Sequence, residues 1–149
     1  MSEKIGFTDE YYMQQALKEA REAFRKDEVP VGAVIVCEGR IIARTHNLTE
    51  TLNDVTAHAE ILAITSASET LGGKYLNGCT LYVTLEPCTM CAGALSWAQI
   101  GRIVDGASDP QRGFSRLTPS PLHPRTEVLG GILAEECSQI VKQFFAKRR

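Results

Sequence analysis

The sequence of 149 residues has no apolar run that approaches the roughly 20 residues of a membrane-spanning helix. It also has no internal repeat and no low-complexity tract. Its first ten residues, MSEKIGFTDE, lack the basic region followed by an apolar core that is typical of a signal peptide. We therefore expect a cytoplasmic protein that does not bind a membrane.

The number of cysteines is odd, which argues against a disulfide framework in a chain that we expect to lack a signal peptide. In a reducing compartment, a closely spaced cysteine pair predicts a metal or redox site instead. Only Cys88 and Cys91 are closely spaced, and we expect the other three to be inert core residues. The five cysteines are Cys37, Cys79, Cys88, Cys91 and Cys137.

The composition, with 44% hydrophobic and 23% charged residues, is that of an ordinary globular protein. The length predicts one domain over residues 1–149. The net charge of −2 argues against a general polyanion binder, but residues 111–149 alone carry seven basic and three acidic side chains, or +4. This basic third is either a solvated helix end or a surface that faces phosphates. Its cations are Arg112, Arg116, Arg125, Lys142, Lys147, Arg148 and Arg149.

Apolar periodicity and turn residues predict strands that alternate with helices, and hence an α/β domain with a mostly parallel or mixed sheet. We expect Thr8 to cap a first helix and Pro87 to stand at the start of a later one. The segment DPQRGFSRLTPSPLHP holds four of the six prolines, so we expect an irregular binding loop or lid there. The predicted strands lie in VGAVIVCEGRIIARTH, CTLYVTL, GRIVDGAS and RTEVL, and the helices after Thr8, in AHAEILAITSASETL, in PCTMCAGALSWAQI and at the C-terminus.

The stretch PCTMC places Cys88 and Cys91 three positions apart at a predicted helix start, where both thiolates can reach one ion. A third donor of the right kind stands at another predicted helix start, where TAHAE contains His58 and Glu60. One imidazole and two thiolates suit zinc. No fourth ligand has suitable spacing, which predicts a catalytic site with a position open to water, and Glu60 is then its general base.

Each of these residues has an ordinary alternative. The cysteine pair alone is compatible with redox chemistry or coincidence, His58 with a core histidine, and Glu60 with a solvated carboxylate. A closed structural zinc site in a binding module is the rival from another functional class. Together, however, His-x-Glu followed by Pro-Cys-x-x-Cys is the known signature of the zinc deaminases, which favours one catalytic zinc ion per chain.

On these motifs the chain resembles the cytidine deaminase superfamily, and within it the bacterial tRNA-specific adenosine deaminases. The resemblance extends from Glu28 to Cys137, through EVPVGAVIV, HN, TAHAEILAI, LYVTLEPCTMCAGAL, IGRIVDGASD and GILAEEC. It implies a three-layer α/β/α sandwich around a five-stranded mixed sheet, and a homodimer. It also implies hydrolytic conversion of adenosine to inosine at the wobble position, with a tRNA anticodon loop as the substrate.

The resemblance further implies that Asn47 hydrogen-bonds the target purine, that Val31 and Ala59 line its pocket, and that Asp109 lies near the flipped nucleotide. Taken alone, Asn47 is also compatible with a turn residue and Asp109 with a helix cap. The sequence departs from the family after Asp109, where PQRGFSRLTPSPLHP replaces a lysine- and glycine-rich loop. Asp105 stands where an apolar residue is usual.

Two substrate classes follow from these observations. The first is RNA, with its phosphates held by Arg112, Arg116 and the C-terminal Lys147, Arg148 and Arg149. The second is a free purine base or nucleoside, with guanine deaminase as the nearest enzyme of that kind. The zinc motif is common to both, so it does not choose between them.

Overall fold

The computed structural model describes residues 7–148, in which four helices alternate with five strands as the sequence predicts. A single 3-10 turn, Phe114–Arg116, interrupts the proline-rich segment that was expected to be irregular throughout. In chain order the elements are α1 (Asp9–Arg25), β1 (Gly32–Cys37), β2 (Arg40–His46), α2 (Ala59–Leu71), β3 (Cys79–Leu85), α3 (Thr89–Ala98), β4 (Arg102–Ala107), β5 (Glu127–Leu129) and α4 (Ala134–Ala146).

The five strands form one mixed sheet in the order β2-β1-β3-β4-β5. Strand β1 is antiparallel to both β2 and β3, whereas β3, β4 and β5 run parallel. The start of β1 and the ends of β2, β3 and β4 therefore meet at one edge of the sheet. The loops at that edge carry the residues on which the sequence analysis depends.

Helices cover both faces of the sheet, because successive strand residues point to opposite sides. On one face, Ala33 and Ile35 of β1 pack with apolar residues of α2 and α3. On the other face, Val34 and Val36 pack with α1 and α4. The expected three-layer α/β/α sandwich with a five-stranded mixed sheet is thus confirmed.

Local chemistry accounts for most element boundaries. The Thr8 hydroxyl accepts a hydrogen bond from the Tyr11 backbone N–H at 3.1 Å and so caps α1 as predicted. Helix α2 ends at Gly72, whose φ of 71° lies in the left-handed region that glycine adopts without strain. Helix α3 differs slightly from expectation, since Cys88 occupies the capping position and the helix begins at Thr89, not at Pro87.

Two anchors tie α1 to the sheet. The Arg102 guanidinium of β4 donates to both carboxylate oxygens of Asp9, at 3.0 and 2.9 Å, and the Tyr82 hydroxyl of β3 donates to the same carboxylate at 2.6 Å. Among residues 7–148, every helix is too short or too polar to cross a bilayer.

Candidate active site

The sheet edge described above brings together residues from six separate parts of the chain, one of them the last helix. Val31 precedes β1, Asn47 follows β2, and Glu86 follows β3. The starts of α2 and α3 point into the same region, and Asp109 lies just beyond β4. The result is a cavity of about 420 Å³, which is large enough for a nucleobase.

Three donor atoms converge on one wall of this cavity. The Sγ atoms of Cys88 and Cys91 lie 3.7 and 3.5 Å from Nδ1 of His58, and all three donors lie within 4.8 Å of one another. His58 caps α2 and Cys88 caps α3, yet neither side chain bonds the first turn of its own helix. Both are therefore free to face an ion. This is the one such cluster among the described residues, and it could hold a metal ion.

The two cysteines differ in their pKa values. A hydrogen bond from Cys91, reinforced by His58, lowers the pKa of Cys88 to about 3. The same hydrogen bond, together with burial, raises the pKa of the Cys91 thiol. Cys88 therefore favours the thiolate, which is the form that would bind a metal, whereas Cys91 favours the thiol.

Glu60 lies in the first turn of α2 and is only 4% exposed. Burial, as the largest cause, raises the pKa of its carboxyl to about 7, and the neighbouring Cys88 adds to the rise. The carboxyl lines the same cavity as His58 and Cys88. Glu60 is therefore not a solvated carboxylate, which was the alternative that the sequence left open.

Asn47 presents an unsatisfied oxygen. Its Nδ2 donates to the Thr49 hydroxyl at 3.4 Å, while its buried Oδ1 has no hydrogen-bond partner in residues 7–148. A buried amide oxygen without a partner is uncommon and costs about 1–3 kcal/mol. Asn47 lines the cavity, and its hydrogen bond to a substrate stays a prediction.

The other expected pocket residues also lie at the cavity. Val31 is half-buried and Ala59 is fully buried in its wall. Asp109 lines the opening, and its Oδ1 accepts hydrogen bonds from the backbone N–H groups of Gln111 and Arg112, at 3.2 and 3.1 Å. Asp109 therefore caps a turn, not a helix. The roles of these three residues toward a substrate stay predictions.

The predicted phosphate-contacting residues are divided between two regions. Arg112 lines the cavity mouth, and the Arg116 guanidinium reaches the Thr89 hydroxyl at 3.4 Å. Arg148 pairs with Asp27 at 2.9 Å and stacks on Phe144, and Lys147 lies over the ring of Phe24. Both C-terminal cations thus pack on neighbouring side chains. Arg149 lies outside the described residues.

Several residues that shape the site are not predicted by the sequence motifs. The buried Glu86 carboxylate accepts hydrogen bonds from the backbone N–H groups of Asp109 and Ser115, at 2.9 and 2.8 Å, and so fastens the loop after β4. Phe145, from the last helix, reaches the cavity wall. The acidic residue inside TLEPC was a possible signal for Glu86. Nothing local in the sequence indicated which distant aromatic would close the pocket.

Comparison with known proteins agrees with this geometry. The sequence of residues 7–149 matches the family model of the MafB19-like deaminases. The chain belongs to this deaminase family. The deaminase is also 50% identical, over 147 residues, to the tRNA-specific adenosine deaminase of Agrobacterium fabrum. The alignment covers 93% of this chain and 95% of that relative. The resemblance inferred from the motifs is therefore confirmed, and the protein is an enzyme of the deaminase class.

Solved structures show how the deaminase compares in three dimensions. A structure from a study of A-to-I editing by tRNA:A34 deaminases at the wobble position is 49% identical, with a TM-score of 0.82, over 87% of this chain and 98% of that one. The guanine deaminase of Bacillus subtilis is 40% identical, with a TM-score of 0.66, over 68% and 66% of the two chains. The similarity to the first protein is thus both higher and more complete.

Proposed function

We propose that the protein is a zinc-dependent hydrolase that converts adenosine to inosine at the wobble position of tRNA. The observation that carries the chemistry is Glu60. It is buried in the active-site cavity beside one imidazole and two thiols, which are donors that zinc prefers. The substrate is supported by the 50% identity to a tRNA-specific adenosine deaminase over nearly the whole chain. We also infer a cytoplasmic location, because tRNA is modified there and the five cysteines are free thiols.

The donor set fits a catalytic zinc ion, one per chain. His58, Cys88 and Cys91 offer one nitrogen and two sulfur atoms, and zinc sites with three protein ligands leave a position for water. When bound, zinc supplies Lewis acidity that lowers the pKa of a water molecule toward neutrality. A structural site takes four protein ligands, and no fourth His, Cys, Asp or Glu joins this cluster in residues 7–148.

Glu60 is placed to move the protons of the hydrolysis. Its carboxylate accepts a proton from the attacking water while the water oxygen bonds C6 of the adenine. It delivers that proton to the ring nitrogen N1. It then takes the second proton from the hydroxyl now on C6 and passes it to the exocyclic nitrogen, which leaves as ammonia when the C6–N6 bond breaks and the C6 carbonyl forms. Water and adenosine are consumed, and inosine and ammonia are formed.

Asn47 and the cavity walls hold the base during this chemistry. Val31 and Ala59 supply apolar contact, and the free Asn47 oxygen accepts a hydrogen bond from the ligand. A base reaches such a cavity only after it has left its stack, and in an anticodon loop this unstacking costs little free energy. Arg112 at the mouth is suited to contact the RNA phosphates, and we expect Asp109 beside it to lie near the flipped nucleotide.

The test is a substrate panel with the zinc-loaded protein. A minimal tRNA anticodon arm, free adenosine, guanine and cytidine are incubated separately, and inosine, xanthine, uridine and ammonia are measured. We expect inosine from the anticodon arm, with far slower turnover of the free compounds. Rapid conversion of guanine without conversion of the arm would assign the enzyme to the guanine deaminases instead.

We also propose that the protein acts as a homodimer. Helix α3 presents Met90 and Trp97 to solvent, and Trp97 is 85% exposed, which is unusual for so large an apolar side chain. Leu52 and Val55, in the loop before α2, are exposed as well. A second copy that covers such apolar surface gains the hydrophobic stabilisation typical of obligate dimers. The molar mass in solution tests this proposal.

A further inference from the structure

A second cavity, of about 580 Å³, lies on the other side of Glu86 from the active site. It is bounded by the end of β4, the proline-rich loop and the start of α4. Its walls carry two carboxylates, and no lysine or arginine lines it. The remainder of the wall is largely apolar, with Phe114, Leu122 and Val128.

Asp105 forms the inner wall of this second cavity and is its unusual feature. The residue is only 6% exposed, and no hydrogen bond to its carboxylate forms within residues 7–148. By contrast, both oxygens of the neighbouring Glu86 are partnered, by Asp109 and Ser115. A buried carboxylate is normally paired, since leaving it unpaired costs several kcal/mol. Asp105 therefore has no partner in residues 7–148 when it is ionised.

The second cavity leaves room for a partner, because Asp105 lines it and the neighbouring residue, Gly130, has no side chain. A Cβ atom on Gly130 would lie 3.0 Å from Oδ1 of Asp105, so a side chain at position 130 would crowd the carboxylate. The active-site cavity does not use this carboxylate, because Asp105 is not among its lining residues. Asp105 and the free space beside it thus form a feature that the deamination chemistry does not explain.

The donor chemistry points to an organic cation and not to a metal ion. In residues 7–148, the one group of three or more donors close enough to hold a metal is that of His58, Cys88 and Cys91, so the second cavity holds no such group. Apolar walls also disfavour a hydrated ion, whereas they pack well against the carbon atoms of an amine. The wall thus carries two carboxylates and one imidazole, that of His123, but no lysine or arginine, a composition that favours a cation.

We propose that this second cavity binds a small organic cation, with an ammonium or guanidinium group that pairs with the Asp105 carboxylate. The charged nitrogen donates hydrogen bonds to Asp105, and the apolar part of the ligand packs against Phe114, Leu122 and Val128. The second cavity is separate from the proposed zinc centre, so binding of the organic cation and binding of zinc are measured independently.

The test uses methylguanidinium, titrated into the zinc-loaded full-length protein and followed by amide chemical shifts. We expect saturable shifts at Gly106, Gly130 and Gly131. Asp105→Asn keeps the shape but removes the charge, and it should weaken binding at least ~10-fold. Glu127→Gln, an exposed change on the adjacent strand, is the matched control and should bind as the unaltered protein does.

Neutral methylurea, which has a similar shape and similar donors, gives the second comparison. It should bind at least ~10-fold more weakly if the carboxylate recognises charge. Shifts that do not saturate, or equal affinity in Asp105→Asn, would overturn the proposal. Equal affinity for methylurea would overturn it too, because the cavity would then recognise shape and not a cation.

Discussion

Glu60 follows His58 by two positions, and its proposed task is to move protons and not to bind the metal. Glu60→Gln should therefore retain one zinc ion per chain and a normal fold, while turnover of the anticodon arm falls at least ~10²-fold. Elemental analysis and single-turnover kinetics measure the two effects on the same sample. His58→Ala is the contrasting variant, and it should lose metal and activity together. If Glu60→Gln lost its zinc, Glu60 would have to be reassigned as a ligand.

Asn47 is expected to act through the oxygen that has no protein partner. Asn47→Ala should lower kcat/KM about 10- to 100-fold, because a hydrogen bond to the substrate is lost from a buried site. The melting temperature and the zinc content should hardly change. Asn77→Ala, at an exposed turn where the amide bonds Gln99 at 2.9 Å, is the control for removing an asparagine. Unfolding of Asn47→Ala would support the turn role instead.

Asp105 should leave a signature in the pH dependence of stability. Burial, followed by the charge of Glu86, raises the pKa of Asp105 from 3.8 to about 7. The folded state therefore binds more protons than the unfolded state between these values, so the free energy of unfolding should fall as the pH rises from about 4 to 7. The groups that face Asp105 are Glu86 after β3, His123 in the loop and Cys137 on α4.

Asp105→Asn removes this titration. Relative to the unaltered protein, the variant should gain about 2–4 kcal/mol between pH 4 and pH 7. Both proteins have the same metal-binding residues, so the difference between their denaturation curves isolates Asp105. Glu127→Gln should track the unaltered protein throughout. Parallel curves for Asp105→Asn and the unaltered protein would show that the carboxyl is not perturbed.

At the scale of elements, the loop after β4 is fastened by Glu86 and by close packing at Gly113. A Cβ atom on Gly113 would overlap the Glu86 carboxylate. Gly113→Ala should therefore displace the loop that carries Asp109 and Arg112, and lower kcat/KM at least ~10-fold while zinc stays bound. Gly78→Ala, in the turn before β3, is the matched control, because a Cβ atom there meets nothing within 4 Å.

The start positions of α2 and α3 explain why short motifs were so informative at this scale. A ligand at a helix capping position is aimed by the first turn of the helix, so local spacing fixes which donors can converge. The position of Phe145 is different, since it depends on how α4 packs across the sheet. The 3-10 turn Phe114–Arg116 was missed for the same reason, because Phe114 is buried by tertiary contacts and not by local periodicity.

For the molecule as a whole, the charge distribution predicts how it binds RNA. Phosphate contacts release counterions, so the affinity for the anticodon arm should fall steeply with salt concentration. Arg112→Glu and Arg116→Glu, beside the cavity, should each weaken binding and flatten the logarithmic salt slope by about one unit. Zinc content should not change, and fluorescence anisotropy measures the affinity.

Arg40→Glu is the control for this charge reversal. Arg40 begins β2, at the end of the sheet opposite the active site, so its reversal should have little effect. Lys147 and Arg148 provide a graded comparison, because both already pack on neighbouring side chains and should contribute less than Arg112. A slope that is insensitive to all these variants, together with rapid turnover of guanine, would contradict an RNA substrate.

The sequence by itself determined the element order, the donor set of His58, Cys88 and Cys91, and the placement of Glu60 beside them. These depend on interactions between near neighbours in the chain, which apolar periodicity and short motifs record directly. The family assignment rests on the same motifs, since their spacing is what the chemistry requires. A single domain over residues 1–149 stays a prediction.

Only the tertiary structure decided which distant residues share a cavity. The antiparallel placement of β1 between β2 and β3 brings Val31, Asn47 and Glu86 to one edge, and no local pattern specifies that order. The same holds for Asp105, which the sequence left unexplained inside a strand. Its surroundings are set by a loop and a helix that follow it in the chain, so its burial without a partner became visible only once these elements were packed.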